Sequence, residues 1–305
     1  MRLLIFGLGY TAKRIAGRAR EAGAVVTATG RDGDLDFGDA EAVRHAIATA
    51  THVLSSVPPG AGGDPVLEAY GDLLGHSPTP VRPEAVEAPV PGARPSTASG
   101  RTVDGRKGAP WLSYLSSTGV YGDAGGAWVD ECAPIAGRRP ERNRADAAWL
   151  ALGARVFRLP GIYGPGRSPL DRVADGTAHV TGLPEQVFSR VHVDDIASGV
   201  VAGLEAPPGA YNLADDVPAS QDRVVAYAAR LLGRPMPRTV ALEELSPQAR
   251  AFYAENRRVS NAKAKRVLGW RPTYSDYRLG LRALKAITMP IATSTAPAAA
   301  SADQR

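Results

Sequence analysis

Residues 3–12 read Leu3-Leu4-Ile5-Phe6-Gly7-Leu8-Gly9-Tyr10-Thr11-Ala12. Four consecutive apolar residues run straight into two glycines, and Ala12, Ile15, Ala16 and Ala19 then recur at helical spacing up to Gly23. A short apolar run, a glycine turn and a period near 3.6 spell strand, tight turn and helix. The spacing is Gly-x-Gly-x-x-Ala, and each small residue has a physical task. Gly7 permits the tight turn, Gly9 lets a ligand approach the backbone, and Ala12 lets the helix lie close on the strand. The first amides of the helix, at Tyr10, Thr11 and Ala12, are then free to meet an anion such as a dinucleotide pyrophosphate.

The alternation continues outward from this unit. Strands are expected at Ala24–Ala28, Val53–Val57, Trp111–Ser116, Ala154–Leu159, Val187–Val193 and Tyr211–Leu213. Helices are expected near Ala40–Thr49, Asp64–Leu74, after Pro140, at Asp194–Glu205 with Asp194 or Asp195 as cap, and near Gln221–Leu232, Asn261–Leu268 and Tyr277–Ile287. Strands alternating with helices imply right-handed crossovers and a parallel sheet. The expected fold class is α/β, a Rossmann-type doubly wound sheet with a small C-terminal substrate-binding subdomain. Residues 1–165 would form the dinucleotide-binding part and 166–288 the substrate-binding part, interleaved with the last strands. Residues 76–108 hold six prolines, four glycines and no aromatic residue, and read as a flexible insertion. The Ala/Ser/Thr/Pro-rich tail 289–305 reads as disordered.

Composition narrows the classes. The 305 residues are 44% hydrophobic and 22% charged, an ordinary globular balance. The net charge of +5 rests mainly on arginine and forms no run of the nucleic-acid-binding kind. Cys132 is the only cysteine, so there is no intramolecular disulfide and no cysteine-based zinc site. No apolar run has the length of a membrane span, and the chain reads as a cytoplasmic protein with a small-molecule substrate.

Further cofactor contacts are expected at the strand ends. The second strand ends in Thr29-Gly30-Arg31. Arg31 there suits the 2′-phosphate of NADP, and Asp32 is the alternative that would suit the ribose of NAD. Asp36 would reach the adenine side, and Ser55, Ser56 and Val57 lie where the third strand meets the ligand.

Four segments carry a resemblance. They are the glycine turn, Ser116-Ser117-Thr118-Gly119-Val120-Tyr121-Gly122, Arg158-Leu159-Pro160-Gly161-Ile162-Tyr163-Gly164-Pro165-Gly166, and Arg190-Val191-His192-Val193-Asp194-Asp195-Ile196. Together they resemble the extended short-chain dehydrogenase/reductases, the epimerase and dehydratase family, and most closely its atypical branch. The resemblance implies that Ser117 and Thr118 hold a substrate oxygen, that Pro160 borders the cofactor, and that Tyr163 and His192 contact substrate or pack locally. A homodimer is also compatible with it.

The family's Tyr-x-x-x-Lys pair is missing, since no tyrosine lies between Tyr121 and Tyr163 and no lysine between Lys107 and Lys263. Counting back from Asp146 puts Arg138 and Arg142 at those places. Arginine does not give up a proton at useful pH. Arg142 can keep the lysine's contacts to ribose or phosphate, or be a surface charge, and Tyr121 becomes the candidate proton donor. Thr118-Gly119 replaces the Asp-Glu of the dehydratases. Two readings follow: an NAD(P)-dependent oxidoreductase or epimerase, or a cofactor-binding protein that has lost turnover.

Overall fold

The computed structural model describes residues 1–75 and 110–288. The expected insertion 76–108 and tail 289–305 lie outside the described residues. Six strands form one parallel sheet: β1 (Arg2–Phe6), β2 (Val25–Ala28), β3 (His52–Ser55), β4 (Trp111–Ser117), β5 (Arg155–Leu159) and β6 (Gly209–Asn212). Their order is β2-β1-β3-β4-β5-β6. This is a Rossmann-type doubly wound sheet in which, among the described residues, β2 is an edge strand. The direction of winding reverses between β1 and β3, which opens a crevice at their C-terminal ends.

The sheet is covered on both faces because successive side chains of a strand point opposite ways. Leu3 and Ile5 face α1 (Tyr10–Glu21), joined there by Phe157 and Tyr211 and by Ile196 and Val200 of the helix Val193–Gly203. Leu4, Phe6, Tyr114 and Val156 face the other way, onto α2 (Ala40–Thr49), α3 (Pro65–Leu74) and α4 (Pro140–Ala151). Asp64 caps α3 by accepting from the Val66 and Leu67 amides, and its other oxygen accepts from the Trp149 indole of α4 at 2.8 Å. One carboxylate thus ties two helices of this layer. Six further helices follow, α5 (Pro169–Ala174), α6 (Val193–Gly203), α7 (Gln221–Leu231), α8 (Pro247–Tyr253), α9 (Ala262–Val267) and α10 (Tyr277–Thr288), and a third buried cluster gathers α5, α7 and α10 around Tyr163, Leu170, Val224 and Leu281.

Three expectations are corrected. The strand expected at Val187–Val193 is two strands, because its halves serve different partners. Val187–Phe188 pairs with Ala219–Ser220 and Arg190–His192 pairs with Gly161–Tyr163. Ser189 between them accepts from the Val259 amide at 2.9 Å. The cap of α6 is His192, whose Nδ1 accepts from the Asp194 amide, rather than either aspartate. Asp195 instead accepts from the amides of Thr273 and Tyr274, anchoring the segment before α10. Finally, α5 and α8 are additional helices of 6 and 7 residues, too short for a periodic signal. Each opens on a Ser-Pro pair, with the serine as N-cap and proline in the first turn.

Among the described residues, no helix is long and apolar enough to cross a membrane.

Candidate active site

A cleft of about 1080 Å³ runs across the C-terminal ends of β1, β3, β4 and β5. One end is built by the turn after β1. Gly7 donates to Thr29 Oγ1, Leu8 donates to the Thr29 carbonyl, and Ser56 Oγ donates to the Gly7 carbonyl, so β2 and β3 clamp the turn from both sides. Gly7 has φ +84°, and a Cβ there would stand 3.0 Å from Val57 Cγ2. Only glycine fits.

Gly9 differs. Its φ is −83°, open to any residue, and a Cβ there would meet nothing within 4 Å. What glycine leaves at this point is empty space in front of a helix. No side chain caps α1 and its first turn holds no acid. The amide donors of its first turn therefore have the geometry and field that suit a phosphate. These features fit a dinucleotide pyrophosphate at Gly9, Tyr10, Thr11 and Ala12, all of which line the cleft.

The middle of the cleft is the turn after β4. Ser117 and Thr118 line it, with Ser117 Oγ accepting from the Gly119 amide at 3.1 Å. Pro160 and Arg142 line it too, and among the described residues no carboxylate pairs with Arg142. Ser116 points back into the protein and donates to Asp146 at 2.6 Å. Asp146 holds Arg158 through two bonds, 2.7 Å and 3.1 Å. Arg158 also donates to the Tyr121 hydroxyl at 3.0 Å, which in turn donates to Asn212 Oδ1 at 2.7 Å.

That network takes Tyr121 out of the cleft. It is buried, its proton is committed to Asn212, and burial pushes its pKa up to about 12 against the pull of Arg158. The expectation that Tyr121 donates a proton to substrate is corrected on this geometry. Tyr163 and His192 are likewise outside the cleft lining. The Tyr163 ring packs edge-on to His192, and its hydroxyl lies where a Cβ on Gly280 would stand, 2.1 Å away. His192 is buried between Tyr163 and Tyr274, and that burial holds its pKa below the usual value.

The remaining expected cofactor residues divide. Ser56 lines the cleft, whereas Ser55 is fully buried and Val57 supports Gly7 from behind. Arg31 is exposed beyond the end of β2, outside the lining. The competing Asp32 pairs with Lys13 at 2.5 Å and also feels the charge of Arg31, which makes no salt bridge among the described residues. Asp36 is exposed and turns back to accept from the Gly38 amide, so it does not reach the cleft.

The structure adds a set of cationic residues that the sequence reading did not assemble. Besides Arg142, the cleft is lined by Arg138, Arg139, Arg167, Arg172, Arg190 and Arg257, with Glu255 as the single carboxylate. Glu255 is engaged twice, by Arg138 at 2.6 Å and Arg257 at 2.7 Å. Burial opposes its ionisation, but the two guanidinium groups outweigh burial and leave its pKa below the usual value. Arg138 also donates to the Ala251 carbonyl and so fastens α8. The preponderance of arginine over lysine was the one sequence signal for this set.

No protein-family model matches the chain. A solved structure of a functionally unknown conserved protein from Silicibacter pomeroyi DSS is 39% identical, with 94% of this chain and 98% of that chain covered and a TM-score of 0.74. The chain belongs to that protein's family. Among curated proteins it is similar to a 3-diazoavenalumate denitrifying reductase from Streptomyces sp, 32% identical over 142 residues. That match takes in 43% of this chain and 46% of the relative, so the chain spans about half the length of the curated relatives it matches. Two more distant solved structures share the fold. The human epimerase family protein SDR39U1 with NADPH is 15% identical at a TM-score of 0.66, covering 93% of this chain and 99% of that one. MoeE5 in complex with UDP-glucose and NAD is 18% identical at a TM-score of 0.68, covering 94% and 98%.

Proposed function

We propose that the chain is an NAD(P)-dependent oxidoreductase or epimerase of the atypical short-chain dehydrogenase/reductase type, acting on a small polar or nucleotide-sugar-like substrate. One observation carries this reading. The open space at Gly9 before an uncapped helix shares a cleft with the hydroxyl turn Ser117–Thr118. Gly9, Tyr10, Thr11 and Ala12 hold the pyrophosphate, and Arg142 and Pro160 border the nicotinamide half. The cofactor supplies or takes up hydride when bound. Ser117 and Thr118 donate to the substrate oxygen and stabilise negative charge that develops on it. With Tyr121 committed to Asn212 and Arg138 unable to lose a proton, the proton comes from water in the open cleft. The neighbours with NADPH and with UDP-glucose and NAD, and the reductase named among the relatives, are in keeping with this assignment.

NADP is the preferred form, because Asp32 is paired with Lys13 while Arg31 is available for a 2′-phosphate. Titration of NADPH and NADH against the protein and its Arg31→Ala variant tests this. The NADPH preference is expected to shrink in the variant, and equal affinities in both proteins would refute it. Turnover of NADPH across carbonyls, alcohols and nucleotide sugars tests the reaction class. A second reading, cofactor binding without turnover, is favoured by Arg138 being fastened to Glu255 and Ala251 at the usual tyrosine position. A protein that binds NADPH but turns over nothing on that panel would favour it.

A further inference from the structure

Gly119 stands at the centre of the cleft between two donors of different kinds. A Cβ there would lie 3.2 Å from Ser117 Oγ and 3.9 Å from Arg257 Nη2. Its φ is not in the left-handed region, so glycine is not demanded by the backbone. Unlike Gly9, where a Cβ would meet nothing, a Cβ here would crowd Ser117 Oγ, so glycine leaves that hydroxyl and the space beside Arg257 uncovered. The space is faced by one hydroxyl and one guanidinium.

Arg257 is held in place from the far side. Its Nη1 donates to the Gly122 carbonyl at 2.6 Å and to Glu255 at 2.7 Å. Glu255 is itself braced by Arg138. Among the described residues, Nη2 and Nε of Arg257 have no hydrogen-bond partner, and the side chain is only 16% exposed. A guanidinium fixed by one nitrogen presents its opposite planar edge, and that edge matches a carboxylate bidentately. A largely buried guanidinium with unused donors on one edge can receive a carboxylate there.

We propose that Arg257 and Ser117 form a cradle at Gly119 for a substrate that carries a carboxylate next to a carbonyl or hydroxyl. The carboxylate lies on the free edge of Arg257, and the adjoining oxygen takes the hydrogen bond of Ser117. This rests on the reading of Ser117 as the substrate's oxygen holder and adds the acidic group beside it. Arg257 supplies the positive charge, and Glu255 and the Gly122 carbonyl set its orientation.

The probe is oxalate, titrated calorimetrically into protein saturated with NADP+. Oxalate is expected to bind with a dissociation constant on the order of 1 mM or tighter, and neutral oxamide is expected not to bind. Arg257→Ala should weaken oxalate about tenfold or more while leaving NADP+ affinity unchanged. Because Arg257 also braces Gly122, Gly119→Ala is the second variant. It keeps Arg257 and its bonds but fills the cradle, and it too should lose oxalate and keep NADP+. Unchanged oxalate affinity in both variants, equal binding of oxamide, or tighter binding of inorganic phosphate than of oxalate would overturn the proposal. Failure of NADP+ itself to bind sinks the cofactor reading instead, and the same titrations on the free protein then decide the cradle.

Discussion

Ser116 and Ser117 are neighbours on β4, and they open onto two sets of arginines with opposite character. Behind the strand, Ser116 joins Asp146, Arg158, Tyr121 and Asn212, and Arg158 uses Nε, Nη1 and Nη2 on partners within the protein. In front of it, Ser117 faces a cleft where Arg139, Arg142, Arg167 and Arg172 have no acidic partner among the described residues. Arg257 engages only through Nη1. Both regions are rich in arginine and hydroxyl groups. The first is closed, because every strong donor has an acceptor inside the fold, and buried polar groups left unmatched are costly. The second is open, and several of its guanidinium groups face the cleft without an acidic partner among the described residues. The two regions differ in how far their guanidinium donors are matched within the fold, with Arg190 the cleft arginine that is also matched.

The largest expected effect is on the closed side. Asp146→Ala strips Arg158 of its carboxylate while the guanidinium remains almost wholly buried, with a side-chain exposure of 3%. An uncompensated buried charge of this kind costs about 3–5 kcal/mol. Urea unfolding should register that loss, and the double change Asp146→Leu with Arg158→Met should recover most of it. If the single variant unfolds like the wild type, the network is not the closed structural unit described here.

Next is Tyr121→Phe, which separates the two regions directly. Removing the hydroxyl leaves Arg158 Nη1 and Asn212 Oδ1 short of a partner, for an expected loss of about 1–3 kcal/mol of stability. Cofactor affinity and turnover at temperatures well below unfolding should stay as they were. A selective fall in turnover would return Tyr121 to the catalytic role that its sequence context suggested.

Gly9→Ala is the mirror-image test on the open side. The space before α1 accepts the methyl group and φ is ordinary, so stability should change by less than about 1 kcal/mol. The methyl group occupies the place assigned to the pyrophosphate, and NADP+ affinity should drop about tenfold, or about 1.4 kcal/mol. An unchanged affinity would mean that the uncapped helix start is not where the cofactor binds.

The same division explains what could be read from the sequence. The strand and helix programme was legible because each element carries its own local period, and the glycine turn because its three small residues sit within six positions. Saturation is not local. Tyr121 finds Asn212 at a sequence separation of 91, and Arg138 finds Glu255 at 117. Nothing near Tyr121 distinguishes a hydroxyl that faces substrate from one that is already used. His192 was left between substrate contact and local packing for the same reason, since the rings that enclose it come from Tyr163 and Tyr274. Apart from Arg138 and Arg142, the cleft arginines were not gathered, because they arrive from the loop before α4, from the segment around α5, from the strand Arg190–His192 and from beyond α8, with no common spacing to announce them.

Glu255 is the exception on the open side, a carboxylate among arginines, and it gives the smallest and most discriminating test. Its folded pKa lies below its ordinary value, because Arg257 and Arg138 together outweigh the burial that would raise it. A lowered folded pKa means that the ion pairs stabilise the protein fully above the unfolded value of about 4.3, and that this contribution drains away as pH falls through the lower folded value. Arg138 is 44% exposed and screened by water, so most of the effect rests on Arg257 at 16%. Glu255→Gln should therefore cost about 1 kcal/mol at neutral pH. The gap to wild type should close as the pH falls through the lowered folded pKa, where wild-type Glu255 also loses its charge. Because Glu255 orients Arg257, the same variant should weaken oxalate binding at neutral pH by a smaller factor than Arg257→Ala does. A stability gap that persists unchanged in acid would show that Glu255 acts by shape alone. An oxalate affinity untouched by Glu255→Gln would show that the Gly122 carbonyl suffices to aim the guanidinium.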